Sequence, residues 1–307
     1  EAADLPTGAA LGRRVQRDAA AEDYARFLEE SAECRLDGLH LVLDTANGAA
    51  YEVAPRVFSA LGAQVECIGN TPDGTNINAD CGSTHPEGLQ AAVRERGADI
   101  GLAFDGDADR LIAVDEQGRL VDGDRVMAVC ATDMQARGKL AQNTVVGTVM
   151  SNLGLQLYLE KHGMRLEKTA VGDRYVLERM LAEGYNFGGE QSGHVILLDK
   201  NTTGDAMLTA LQLLGVAVRS GKTLGQLADT VEILPQVLEN ARVSEEGRLA
   251  YQADDAVQAE IARTEQALLG KGRVLIRPSG TEPLVRVMLE GEDIEYIRAQ
   301  AQKIAAL

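Results

Sequence analysis

An unbroken apolar run, Ile100-Gly-Leu-Ala-Phe104, ends directly on Asp105-Gly-Asp-Ala-Asp-Arg110, and a second apolar run, Leu111-Ile-Ala-Val114, follows at once. Two short apolar segments around a polar, glycine-bearing hexapeptide read as two buried strands joined by a loop. In extended or loop backbone alternate residues share a face, so Asp105, Asp107 and Asp109 come together. Three carboxylates side by side repel one another unless a cation lies among them, and hard oxygen donors favour Mg²⁺ or Ca²⁺ over softer metals. The nearest rival is an EF-hand, since Ile112 and Glu116 fall where that loop wants an apolar residue and a glutamate. It fails at its sixth position, where Arg110 replaces the required glycine, and at its flanks, which are strands rather than helices. A metal-holding loop with Arg110 as an adjacent anion-binding group is the reading that fits; a solvated acidic turn is the alternative.

The rest of the chain places this loop at the end of a strand in an α/β sheet. From Leu39 the order is strand, turn, helix, repeated: an apolar strand to Leu43, the turn Asp44 to Gly48, a helix from Ala49 to Leu61, a strand from Val65 to Ile68, and, after a polar loop, a helix to about Arg96. The order recurs after Gly123, and Met150-Ser-Asn-Leu-Gly154 repeats the position of Thr45-Ala-Asn-Gly48, which reads as an internal duplication of fold. Strands alternating with helices imply parallel pairing, with ligands gathered at the carboxyl ends of the strands. Beyond Leu234-Pro235 the pattern changes to a strand, a polar helix from Asp255 to Leu268, a hairpin and a final helix. The fold class expected is therefore α/β: two similar three-layer domains with mixed, mainly parallel sheets, residues 1–115 and 116–232, and a small α+β domain, 233–307.

At 307 residues the chain can bury several cores, and its formal charge of −17 argues against nucleic acid or an anionic membrane as partner. An anionic substrate must then be held by a few local arginines. Four cysteines without CxxC spacing, each in or beside an apolar stretch, suggest buried thiols in a reducing cytoplasm. No apolar run reaches the length of a membrane span, no signal peptide is visible, and a start at Glu1 within a helical approach suggests a piece of a longer protein.

Three further loops carry candidate chemistry. Arg277-Pro-Ser-Gly-Thr-Glu-Pro283, followed by Arg286, combines the hydroxyls of Ser279 and Thr281, backbone N–H groups freed by Gly280 and two guanidinium groups, a set suited to a phosphate; a plain hairpin turn needs only Gly and Pro. Gly188-Gly-Glu-Gln-Ser-Gly-His194 sets Glu190 and Ser192 two apart, a pairing that can grip sugar hydroxyls, with His194 able to transfer a proton near neutral pH; a turn with a core histidine is the alternative. Val171-Gly-Asp-Arg-Tyr175 opens a helix, where Asp173 can cap or bind and Arg174 can reach an anion. His85 is assigned no role beyond a turn. A metal beside an arginine, a sugar-hydroxyl loop and a phosphate cradle together suit phosphoryl transfer on a sugar phosphate. Rival readings are a phosphatase with an aspartate nucleophile and a non-catalytic sugar-phosphate or metal binding protein.

These motifs, in this order, resemble the α-D-phosphohexomutase superfamily over essentially the whole length. Val171-Gly-Asp-Arg-Tyr-Val-Leu-Glu178, Gly147-Thr-Val-Met-Ser-Asn152 and Cys81-Gly-Ser-Thr-His-Pro-Glu87 are most similar to its bacterial phosphoglucosamine mutase branch, and hexose mutases usually carry a histidine where Asp173 stands. The resemblance implies interconversion of glucosamine 6-phosphate and glucosamine 1-phosphate, with Mg²⁺, an active-site phosphoserine and glucosamine 1,6-bisphosphate or glucose 1,6-bisphosphate as primer, on the way to UDP-N-acetylglucosamine in the cytoplasm. It implies that Asp105, Asp107 and Asp109 hold the metal, Arg110 helps bind the transferring group, His194 assists in positioning or proton transfer, Glu190 and Ser192 grip the sugar hydroxyls, Asp173 and Arg174 bind substrate, and Arg277, Ser279, Gly280, Thr281 and Arg286 bind the stationary phosphate. A hexose-specific mutase of the same superfamily is the alternative, and the assembly, a homodimer included, is left open. The serine loop of the family, roughly Ser-Ala-Ser-His-Asn-Pro, does not occur in these residues. The expectation is that the nucleophile belongs to a preceding domain and that the 307 residues alone do not turn over.

Overall fold

The computed structural model describes residues 11–13, 15–17, 19–244, 246–279 and 282–307. A first helix, α1 (Ala20–Ser31), precedes a five-stranded sheet of β1 (His40–Asp44), β2 (Gln64–Ile68), β3 (Ile100–Phe104), β4 (Leu111–Val114) and β5 (Leu120–Val121). Its order is β2-β1-β3-β4-β5: β1 runs parallel to β2 and β3, whereas β3-β4 and β4-β5 are antiparallel. Helices α2 (Ala50–Ala60) and α3 (Glu87–Arg96) make the crossovers, and α4 (Gly123–Ala136) follows β5. The second sheet holds β6 (Thr144–Thr148), β7 (Arg165–Thr169), β8 (Phe187–Gly189) and β9 (Val195–Leu197), in the order β7-β6-β8-β9, again parallel, parallel, antiparallel. Helices α5 (Leu153–Lys161) and α6 (Asp173–Glu183) are its crossovers, and α7 (Ala206–Ser220) and α8 (Leu224–Ala228) follow it. The duplication read from the strand order is thus a repeat of topology, with β3-β4 of one unit equivalent to β8-β9 of the other.

Both inner sheet faces pack on one shared layer of helices. A single cluster of buried side chains includes Leu28 of α1, Leu43 of β1, Phe58 of α2, Phe104 of β3, Met127 of α4, Leu159 of α5, Leu197 of β9 and Leu211 of α7. The outer faces have smaller clusters, Leu89 and Val93 of α3 against β1 and β3, and Val176 and Met180 of α6 against β6. Helix α7 and strands β8 and β9 escape the sequence pattern. Every residue of α7 from Ala206 to Ala217 is buried, so the helix has no polar stripe to mark its period. The glycine pair read as loop, Gly188 and Gly189, lies in β8, and the loop begins only at Glu190.

The C-terminal part is a three-stranded antiparallel sheet, β10 (Gln236–Arg242), β12 (Leu284–Gly291) and β11 (Gly272–Pro278) in that order, backed by α9 (Asp255–Leu268) and α10 (Ile294–Ala305) over a core of its own around Leu289, Val287 and Ile297. All four cysteines are free; only Cys130 is buried, while Cys34, Cys67 and Cys81 are half-exposed, because the strand and loop positions they occupy lie at the margins of the layers rather than inside them. No helix among the described residues is long and apolar enough to cross a membrane.

Candidate active site

The aspartate loop is the β3-β4 hairpin connection. The three carboxylates converge, one oxygen from each of Asp105, Asp107 and Asp109 lying within 4.8 Å of the others. The cause is a curl rather than a pleat. Asp105 Oδ1 accepts from the backbone N–H groups of Asp109 and Arg110, each at 3.1 Å, and Ala108 takes the left-handed conformation, φ 61°. The β1-α2 turn presses on the same loop: Ala49 N–H donates to the Gly106 carbonyl at 2.8 Å, and a Cβ at Gly48 would collide with that carbonyl. Burial, and after it the neighbouring Asp109 carboxyl, push Asp105 above the usual carboxylate range. Asp109 Oδ1 is buried with no hydrogen-bond partner. Hard oxygens, one of them orphaned, fit a divalent cation. Arg110 stands beside them, Nε 3.8 Å from Asp105 and 3.7 Å from Asp109.

The glycine-flanked loop between β8 and β9 lies directly against this hairpin. Leu111 N–H donates to the Gly193 carbonyl at 3.1 Å, and Arg110 and His194 form a bridge of their own. Gly193 has φ 97° and faces Leu111 so closely that a side chain there would strike its backbone, which is why this position needs glycine. His194 is only 2% exposed, with Nε2 3.5 Å from Asp109 and 3.8 Å from Asp173, while Nδ1 has no partner. It therefore joins the metal loop to the start of α6. Glu190 Oε1 accepts from Gly172 N–H at 3.0 Å, tying the same loop to the β7-α6 connection, and Ser192 is exposed. Asp173 is the first residue of α6 and makes no cap, since Gly172 occupies the cap position. Arg174 points along its own helix to Glu178 at 2.7 Å with its side chain 79% exposed, so it is not brought in with the others.

The third loop joins β11 to β12. Arg277 and Arg286 are directly opposed across the two strands, an arrangement that is unfavourable unless an anion lies between. Arg277 has no carboxylate partner among the described residues, and burial, with Arg286 adding, lowers its pKa from the ordinary value; Arg286 reaches Glu282 only at 3.8 Å. Ser279 is 4% exposed, its hydroxyl accepting from Glu282 N–H at 3.2 Å. Gly280 and Thr281 lie outside the described residues.

What sequence reading misses is the wiring between units. Asn152, one residue past the β6-α5 turn, donates to the Leu234 carbonyl at 3.0 Å. Glu290, fully buried, accepts from Leu153 N–H at 2.9 Å and pairs with Arg273 at 2.7 Å, and Arg273 also donates to the carbonyls of Val149 and Ser151. The only sequence signal is Glu290 closing the apolar run Val287-Met-Leu289 on β12.

A curled triple-carboxylate loop, a glycine-flanked loop bonded to it and a hairpin with opposed arginines on a third unit define an α/β protein whose loops fit a divalent cation and an anion. Family models described as the α/β/α domain II, the α/β/α domain III and the C-terminal domain of phosphoglucomutase/phosphomannomutase match residues 22–118, 122–233 and 238–307, and the chain belongs to that family. Its curated relatives include phosphoglucosamine mutases: that of Alkaliphilus metalliredigens is 53% identical over 301 residues, covering 98% of this chain and 67% of the relative, and that of Clostridium acetobutylicum is 53% identical over 307 residues, covering 100% and 68%. Among solved structures, a phosphoglucomutase/phosphomannomutase family protein from Burkholderia thailandensis superposes with a TM-score of 0.77 at 25% identity, covering 95% of this chain and 66% of that one. The N-acetylphosphoglucosamine mutase of Aspergillus fumigatus, solved with GlcNAc-6P and magnesium, shares the fold with a TM-score of 0.75 at 23% identity, covering 93% and 64%. The chain thus spans about two thirds of the length of its relatives.

Proposed function

We propose that these residues form the metal, sugar and stationary-phosphate sites of a phosphoglucosamine mutase that interconverts glucosamine 6-phosphate and glucosamine 1-phosphate, the phosphorylated serine being supplied from outside the 307 residues. The observation that carries the reading is the convergence of the Asp105, Asp107 and Asp109 oxygens beside Arg110 and His194. Phosphoryl transfer asks for positioning and charge neutralisation more than for covalent chemistry. A Mg²⁺ held by the three aspartates would neutralise the phosphate on the donor serine. Arg110 faces the same group with a fixed guanidinium charge. Glu190, with Oε1 committed to Gly172, keeps Oε2 for a sugar hydroxyl. Arg277 and Arg286 hold the other phosphate between them, and an exchange of phosphorylated position follows when the bisphosphate turns over within the cleft. His194, buried between Asp109 and Asp173, orients both and is placed to carry a proton.

The 307-residue chain, assayed with glucosamine 6-phosphate, Mg²⁺ and glucosamine 1,6-bisphosphate or glucose 1,6-bisphosphate, should give no isomerisation, whereas a polypeptide that joins it to a domain bearing the phosphoserine should. In that polypeptide Asp107→Asn should cost about 100-fold or more in kcat. Turnover by the isolated chain would show the nucleophile to be misplaced, and parallel assays with glucose and mannose 6-phosphates separate the amino-sugar reading from a hexose mutase.

A further inference from the structure

The metal loop and the sugar loop are equivalent hairpins of the two units, and the helix that follows each hairpin's sheet is bonded by its first residue to the hairpin of the other unit. Gly123 N–H, opening α4, donates to the Gln191 carbonyl at 3.0 Å, and Ala206 N–H, opening α7, donates to the Ala108 carbonyl at 3.1 Å. Both helices are capped by an aspartate three residues before the amide it accepts from, Asp122 for Arg125 and Asp205 for Leu208. Ala108 is the residue whose left-handed backbone turns the three aspartates toward one another. That conformation is costly for a side-chain-bearing residue, by about 1 kcal/mol or more, so it needs support from outside the loop.

Asp205 governs that support. It is 5% exposed; Oδ1 accepts from Leu208 N–H at 2.9 Å, and Oδ2 accepts from the Tyr24 hydroxyl at 2.9 Å and from Asn201 Nδ2 at 3.3 Å. The Thr209 hydroxyl donates to its carbonyl at 2.8 Å. The preceding residue, Gly204, lies so close to the His194 imidazole that a Cβ would overlap the ring. The first peptide of α7 is therefore pinned on one side to α1 and on the other to the metal loop and His194. We infer that Asp205 is a positioning residue for the metal site: by holding the start of α7 it fixes the Ala206 N–H that keeps Ala108 curled and the three carboxylates at ligand spacing, and Tyr24 extends this brace to α1. It touches neither metal nor substrate, and the inference rests on the metal reading proposed above.

The test is metal affinity, with Mn²⁺ as the probe, read from the free-ion paramagnetic resonance signal and displaced by Mg²⁺. Melting temperature is measured in parallel. Asp205→Ala should weaken Mn²⁺ binding by about tenfold or more, the range seen when a group supporting a metal ligand is removed. Asp205→Asn should bind Mn²⁺ more tightly than Asp205→Ala, since its one acceptor oxygen keeps the cap on Leu208 N–H although its amide nitrogen cannot accept from Tyr24 and Asn201. Ala206→Pro separates bracing from general stability. Proline is accommodated at the first helical position, and Asp205 already has the extended backbone, φ −146° and ψ 105°, that a following proline requires, so the change spares the helix while it removes the donor to Ala108 and sets a ring carbon against that carbonyl. It should cost about tenfold in Mn²⁺ affinity as well. Parent-like Mn²⁺ binding by Ala206→Pro, or an Asp205→Asn as weak as Asp205→Ala, overturns the brace alone. A parent that binds no Mn²⁺, or binds it undiminished in Asp107→Asn, overturns the metal reading and the brace with it.

Discussion

Asp124 shows how far a single side chain can depart from its ordinary chemistry. It is fully buried at the start of α4, with Oδ2 accepting from Asn152 N–H at 2.7 Å and Oδ1 left without a partner. Burial above all, and then the charges of Asp122 and Glu290, push it up to about 8; Arg273 and the Asn152 bond act in the opposite sense. An acid held neutral in the folded state binds its proton more tightly than in the unfolded chain, where it titrates near 3.9. Its contribution to stability is thus fully present below about pH 4 and is lost as pH rises toward 8. Denaturant unfolding of the chain should show stability falling by roughly 2 to 4 kcal/mol between pH 5 and pH 8 from this group. Asp124→Asn should flatten that fall, and an unchanged slope would rule the assignment out. Sequence reading could not find Asp124, because nothing local distinguishes it from a surface acid opening a helix. It could find Asp105, Asp107 and Asp109, since three carboxylates at alternate positions behind an apolar strand single them out, although a curl at Ala108 rather than strand alternation does the gathering.

At the scale of elements, the β11-β12 hairpin sets two guanidinium groups face to face, Arg277 against Arg286. Like charges opposed across a sheet destabilise it by some tenths of a kcal/mol, so the pair is a cost that a bound anion removes. Inorganic phosphate should therefore raise the melting temperature of the chain in a saturable way. Arg286→Ala should abolish that rise while leaving the phosphate-free melting temperature unchanged or slightly higher. A phosphate-induced shift that persists in Arg286→Ala would show that the anion binds elsewhere. The hairpin was legible because its flanks are regular and its loop is rich in Gly, Pro and hydroxyls. Helix α9, with an aspartate cap at Asp254 and an amphipathic face, was legible for the same kind of reason, and its bounds match the residues read from the pattern. Helix α7 was not: a segment buried on every side carries no periodicity, and the strands β8 and β9 beside it are only three residues long.

For the whole molecule the decisive fact is which cores are shared. The two α/β units bury one common layer of helices between their inner sheet faces and keep only a smaller outer cluster each, whereas the whole core of the C-terminal unit is its own. The alternation of strands and helices implied two similar units, but an interior made from distant segments leaves no mark in local pattern, and the sharing could only be seen in three dimensions. What joins the C-terminal unit to the rest is polar: Glu290, fully buried, bonded to Leu153 N–H and to Arg273, which in turn holds the carbonyls of the β6-α5 turn. Removing one member of a buried ion pair leaves the other charge uncompensated, at a cost of about 3 to 5 kcal/mol. Arg273→Met should therefore lower the stability of the C-terminal unit selectively. Calorimetry should resolve two unfolding transitions in place of one, with hydrogen exchange showing β10, β11 and β12 opening first while β3 and β6 remain protected. Exchanging the pair together, as Arg273→Met with Glu290→Leu, should restore much of the loss, because no orphaned charge is left behind. If instead the single variant melts in one transition with all strands opening together, the third unit is held by more than this network and the shared core must extend to it.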